Sequence, residues 1–187
     1  FNIADRLWQL PYGVFAQGIG MAMLPTLSTS FAAGEVEDYK RILSKGLKSV
    51  MFFAVPSAFG FIFLREPIIR TVLKFTNMIT ESDVAMTGNI LVFFSIALIT
   101  HSMIAIINRA FYAVNDTRTP LYIGASTILF NILLSFVFYR TTSLGRGGMA
   151  LAYSLASFAN AALAMFFLNK KMKGIGLADF FTFFIKI

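Results

Sequence analysis

The chain has 187 residues, of which 57% are hydrophobic and 13% charged, with 22 Phe, no Cys and a formal net charge of +7. Soluble domains run near 45–50% apolar and about 25% charged, so an ordinary water-soluble domain is excluded. The absence of Cys removes disulfides, thiolate catalysis and cysteine-based zinc sites together.

The spacing of the charges carries more than their number. Uncharged intervals run over Leu7–Gly34, Ser49–Leu64, Val84–Asn108, Thr119–Tyr139 and Gly147–Asn169. A helix that crosses the hydrocarbon core needs about 20 mainly apolar residues. Five such runs predict an all-α, polytopic transmembrane helix bundle. The helices are expected over residues 5–31, 47–73, 89–113, 120–139 and 148–168.

The first run holds Pro11 and Pro25, which membrane helices tolerate where neighbours satisfy the freed backbone groups. The second reaches the required length only if Arg65, Arg70 and Lys74 snorkel to the interface, with a bend at Glu66-Pro67. The fourth has a good start in Thr119-Pro120, a capping hydroxyl followed by proline at the first helical position. After the fifth, residues 177–187 (LADFFTFFIKI) open another apolar helix that stops before it could span. No cleavable leader precedes the first run, and residues 1–187 read as an internal fragment of one transmembrane domain.

Positive residues mark cytoplasmic loops. Lys40, Arg41, Lys45, Lys48, Arg109, Arg118, Lys170, Lys171 and Lys173 fall on one side, and Arg65, Arg70, Lys74, Arg140 and Arg146 on the other. The richer set is therefore expected inside. Read this way, the net charge reports topology and gives no reason to expect nucleic acid.

Polar groups at membrane depth are costly and point to function. In the first helix Arg6, Gln9, Gly13, Gln17 and Gly20 recur at α-helical spacing and share one face. Such a stripe suits the wall of a water-filled cavity, with Arg6 as a forked donor to an anion. The spacing leaves a second reading open, in which Asp5 and Arg6 only cap the helix at the interface. Thr127, Asn131 and Ser135 in the fourth helix, and Ala152, Ala156, Asn160 and Ala164 in the fifth, read as helix-packing stripes, with a substrate or ion contact as the alternative. His101 is expected to hydrogen-bond inside the bundle. The nine carboxylates lie in loops, at helix ends or in the tail, and no phosphate-cradling glycine loop occurs. No enzyme active site, metal site or cofactor is expected.

Three stretches resemble one family. Ala4-Asp5-Arg6-Leu7, Gln9-Leu10-Pro11, Gly13-Val14-Phe15 and Leu24-Pro25-Thr26-Leu27-Ser28 are similar to the eighth helix of MurJ/MviN-type lipid II flippases. Phe111-Tyr112-Ala113 with Asp116-Thr117-Arg118-Thr119-Pro120 is similar to that family's loop between helices ten and eleven. Gly147-Gly148 with Ala150-Leu151-Ala152 and Ser154 resembles the start of its twelfth helix. The resemblance covers essentially the whole chain in the right order.

It implies a part, mostly the C-terminal lobe, of a fourteen-helix exporter-superfamily protein in the bacterial inner membrane. Such proteins flip the lipid-linked peptidoglycan precursor by alternating access around a cationic cavity. The implied partners are that precursor, membrane lipids and the remaining helices of the same protein. The family's functionally important Asp-Arg pair falls on Asp5 and Arg6, with Gln9 and Gln17 extending a polar wall. Gln17 departs from the family's usual small or apolar residue. Other lipid-linked oligosaccharides, such as O-antigen or capsule units, are the alternative cargo. A membrane scaffold without transport is the rival from another class.

Overall fold

The computed structural model describes residues 2–73, 81–141, 146–172 and 174, and all of its elements are helical. In chain order they are α1 (Asn2–Pro11), a π-helical turn (Tyr12–Gln17), α2 (Gly18–Ala32), α3 (Val36–Phe63), α4 (Arg65–Leu73), α5 (Glu81–Ala113), α6 (Arg118–Thr141) and α7 (Arg146–Lys171). Of these, α3, α5, α6 and α7 are each long and apolar enough to cross a membrane. The first apolar run forms one helical path in three pieces, with Pro11 and Gln17 both in right-handed helical conformation at the joints. The stretch expected to open a sixth helix, 177–187, lies outside the described residues.

Two connections repeat one design. At the end of α2, Gly34 takes the left-handed conformation (φ 75°), its N–H donates to Phe31 O, and Glu35 N–H donates to Ser30 O. That is a Schellman close, which satisfies carbonyls the helix leaves over. At the end of α5, Asn115 (φ 57°) takes the same role, with Asn115 N–H on Tyr112 O and Asp116 N–H on Phe111 O. Asn tolerates this conformation better than other residues with a Cβ.

Asp116 then starts the next helix at once. Its Oδ1 accepts from Thr119 N–H at 3.0 Å and its Oδ2 from Thr119 Oγ1 at 2.8 Å. The cap of α6 is thus Asp116 and not Thr119, because a carboxylate three residues upstream reaches both of Thr119's donors. The tight turn in Phe111–Pro120 is one C-cap followed directly by one N-cap.

α3 begins eleven residues before the uncharged run suggests, at Val36 rather than about Leu47. Its first turns carry the pairs Lys40–Glu37 at 2.9 Å and Arg41–Asp38, each one helical turn apart. They also bury Tyr39 and Leu43. The helix ends at Leu64, and α4 restarts with Pro67 in its first turn, where a missing N–H costs nothing.

α5 is the centre of the bundle and packs against α1, α2, α3, α4 and α7. One core cluster joins α2, the first half of α3 and the last half of α5 around Leu27, Tyr39, Leu43, Ile106 and Phe111. A second gathers Ala4, Trp8, Ala58, Ile69, Leu91 and Phe94 at the other end. Tyr39 Oη donates to Ala110 O at 2.7 Å, tying α3 to α5. Ser154 Oγ donates to Phe93 O at 2.6 Å, tying α7 to α5. α6 leans on α7 and barely touches α5.

Lys171 Nζ sits 2.5 Å from Asp116 Oδ2, so the α5–α6 turn and the end of α7 meet at the same end of the bundle. Burial alone would raise the Asp116 carboxyl. The hydrogen bonds from Lys171 and Thr119, with the Lys171 charge, outweigh it and hold the group down at about 2.

Candidate functional site

The N-terminal piece of the first helical path, α1, carries the acidic–basic pair. Asp5 Oδ1 accepts from Trp8 Nε1 at 3.0 Å, and Oδ2 accepts from Gln9 Nε2 at 3.0 Å. These partners lie three and four residues on, so an α-helix delivers both donors to one carboxylate. Arg6 and Gln9 are exposed and Asp5 is half-buried. Trp8 is buried and sets this group against the bundle. Its ring lies 5.3 Å from His101 and 5.6 Å from Tyr12, with Phe94 and Tyr153 just beyond 6 Å. His101 Nε2 is 3.0 Å from Ser157 Oγ, and its ring stacks on Tyr153 at 5.3 Å.

A cavity of about 490 Å³ opens beside Asp5 and Gln9. Its polar wall adds Asn131 and Ser135 from α6 and Tyr153 from α7, and Phe94 of α5 closes one side. Asn131 Nδ2 is buried and has no hydrogen-bond partner among the described residues. A donor left this way in a low-dielectric place costs about 1–3 kcal/mol.

Asn131 and Ser135 appeared in the sequence as packing residues, separate from Asp5 and Gln9. The structure brings the four to one cavity. Asn160 sits two turns along α7 from Tyr153 and does not line it.

Gln17 stands apart from Gln9. It lies beyond the π-turn, where its Nε2 donates to Tyr12 Oη at 2.6 Å and its Oε1 accepts from Arg109 Nη2 at 3.0 Å. The Arg109 guanidinium also covers the Tyr112 ring at 5.9 Å. Gly20 makes room for this crossing, since a Cβ there would sit 3.4 Å from Arg109 Cγ.

Arg109 counted among the cytoplasmic-side cations and also fell inside the helix expected over 89–113; it lies within α5 and is half-buried. Among the described residues no group of His, Asp or Glu side chains is arranged to hold a metal ion.

Helices that can cross a bilayer, packed around a central apolar helix with a polar cavity between them, define a polytopic integral membrane protein. The family model described as "Lipid II flippase MurJ" matches residues 1–187. The probable lipid II flippase MurJ of Rhizobium tropici is 31% identical over 158 residues, covering 84% of this chain and 29% of that protein. The lipid II flippase MurJ of Thermosipho africanus is 31% identical over 163 residues, covering 87% and 33%. A solved structure, lipid II flippase MurJ in an inward closed conformation, superposes with a TM-score of 0.79 at 29% identity, covering 97% of this chain and 39% of that one. The chain belongs to the MurJ lipid II flippase family. It spans about a third of the length of the curated relatives it matches.

Proposed function

We propose that the chain is part of a flippase that moves the lipid-linked peptidoglycan precursor, lipid II, across the bacterial cytoplasmic membrane by alternating access. It corresponds to helices eight to twelve of the family's fourteen, with the path α1–π–α2 as the first crossing. It transports its cargo and does not transform it. The observation that carries this reading is the family match over all 187 residues together with a polar cavity beside Asp5 and Gln9.

The chemistry follows from the groups. A diphosphate is a dense anion that hydrocarbon cannot solvate, and a guanidinium meets it with a planar fork of donors. Arg6 supplies that fork. Asp5, holding Trp8 and Gln9, fixes the local helix face from which Arg6 projects. Gln9, Asn131 and Ser135 offer neutral partners for the sugar and peptide parts of the head. Arg109 and Gln17 add polarity at the cytoplasmic end, and the other helices of the full-length protein complete the cavity.

The test is depletion of the native protein and rescue by full-length variants, reading precursor arrival in the outer leaflet. Losing charge-assisted bonds worth roughly 1.5–3 kcal/mol predicts export about 10- to 100-fold slower for Arg6→Ala. Arg6→Lys should recover only part of it, because it keeps the charge without the fork. Normal export by both variants would remove Arg6 from the cargo path. A wild type that moves a capsule intermediate and no peptidoglycan precursor would overturn the choice of cargo.

A further inference from the structure

The spacing of Arg6, Gln9, Gly13, Gln17 and Gly20 describes one continuous polar face of an uninterrupted α-helix, and the structure does not show that face. The π-turn Tyr12–Gln17 lies in the middle of it. A π-turn winds fewer degrees per residue than the α form, so these residues lag by about one residue's rotation, roughly 100°. The lag carries the ends of the stripe apart, Arg6 and Gly20 going from about 40° to about 140° around the path, with Gln9 beside the cavity and Gln17 bonded to α5.

What holds the π form is visible in the side chains. The Gln17–Tyr12 bond spans five residues, the same interval that π-helical backbone bonding spans. The other end of the Gln17 amide is held by Arg109, on a helix 92 residues away in sequence. Pro11 has no N–H, so the α-ladder is already interrupted where the turn begins. Nothing lies within 4 Å of where a Cβ would stand on Gly13 or Gly18, so the turn itself is loosely packed, and the buried Ala4 and Trp8 are what a rotation of α1 must move.

We propose that Tyr12, Gln17 and Arg109 form a clasp that selects between two registers of the first helical path. With the clasp closed, the π-turn splits the polar stripe. With it open, residues 12–17 rewind to α, the stripe becomes continuous, and the Asp5–Gln9 segment turns by roughly 100° relative to α2. Gln17 is the positioning residue, since it bonds both to Tyr12 of the turn and to Arg109 of α5. The meaning of this switch for transport rests on the flippase reading, whereas the two registers do not depend on the cargo.

The experiment is a spin-label distance measurement on the full-length protein in a cysteine-free background. The labels sit at Leu10 on α1 and Phe158 on α7, both exposed and outside the clasp. A turn of that size about a helix of roughly 5–6 Å radius displaces the first label by about 8 Å. The wild type should give one distance. Gln17→Leu should add a second population displaced by up to about 8 Å, and Tyr12→Phe, which keeps the ring packing, a smaller amount of it. Gln17→Glu, which sets a carboxylate against Arg109, should keep the single distance. Unchanged distributions in both Gln17→Leu and Tyr12→Phe overturn the clasp, even where export is impaired, and that result leaves the flippase reading standing. A shifted distribution in a protein that exports no lipid-linked precursor overturns the cargo and keeps the clasp.

Discussion

α5 and α6 are both able to cross a membrane by length and composition, and the bundle uses them in opposite ways. In their most apolar stretches, 67% of α5 is buried inside the protein against 6% of α6. α5 places Ala97, Ala105, Ala110 and Ala113 among larger buried neighbours, so other helices come close around it. Its hydroxyls are spent on its own backbone, as in Ser95 to Leu91 O and Ser102 to Leu98 O, both at 2.7 Å. α6 turns Leu121, Ile128, Leu133 and Phe136 outward and keeps Asn131 unsatisfied on its inner side. Hydropathy measures willingness to leave water and is silent on whether lipid or protein is met afterwards. Lipid tails are as apolar as Leu, so only small residues and polar partners tell the two apart.

That contrast can be broken most directly with a matched pair. Phe111→Ala empties a fully buried site in α5 and should cost about 3–5 kcal/mol. Phe136→Ala, on a residue 61% exposed in α6, should cost under about 0.5 kcal/mol. Denaturation of the detergent-solubilised protein measures both, and equal losses would mean that another helix covers α6 at that point. The next largest effect belongs to the tie between α3 and α5. Tyr39→Phe removes the bond to Ala110 O and should cost about 1 kcal/mol in the same assay. An unchanged midpoint would deny that the hydroxyl contributes.

The smallest effect sits at the edge, where Lys171 is partly open to solvent. Lys171→Ala should cost about 0.5 kcal/mol at neutral pH. The Asp116 carboxyl is held below its ordinary value, so the stabilisation it gives is complete above that value and is lost as pH falls toward about 2. Stability curves of the wild type and Asp116→Asn should therefore converge between roughly pH 4 and pH 2. Parallel curves across that window would show that the carboxylate is not the group responsible.

Charge spacing located the helices because the same property decides both what enters hydrocarbon and where a run of uncharged residues stops. It failed at boundaries for one physical reason. A helix continues past the bilayer into water, as α3 does through Val36–Lys48, and its charged turns then look like a loop. The cap at Asp116 was hidden behind a Thr-Pro pair that fits the usual start equally well. The π-turn had no trace in the apolar pattern beyond Pro11, since six residues are too few to shift a period visibly. Of the proposed site, the grouping of Asp5 with Gln9 was legible because the two share one turn of one helix. The approach of Asn131 and Ser135 to Asp5 and Gln9 needed a second helix, α6, and could not be read from any local spacing.

The bond between Asp116 and Lys171 joins positions 55 residues apart, one before α6 and one at the end of α7. Both partners stand at the same end of the bundle, with one outward and one return crossing between them. During biosynthesis the two can meet only after α6 has passed through the bilayer and α7 has come back. A chain inserted with either segment in the wrong direction leaves the carboxylate and the ammonium on opposite faces of the membrane. This small ion pair therefore marks α6 and α7 as an antiparallel hairpin whose two ends meet on one face of the bundle.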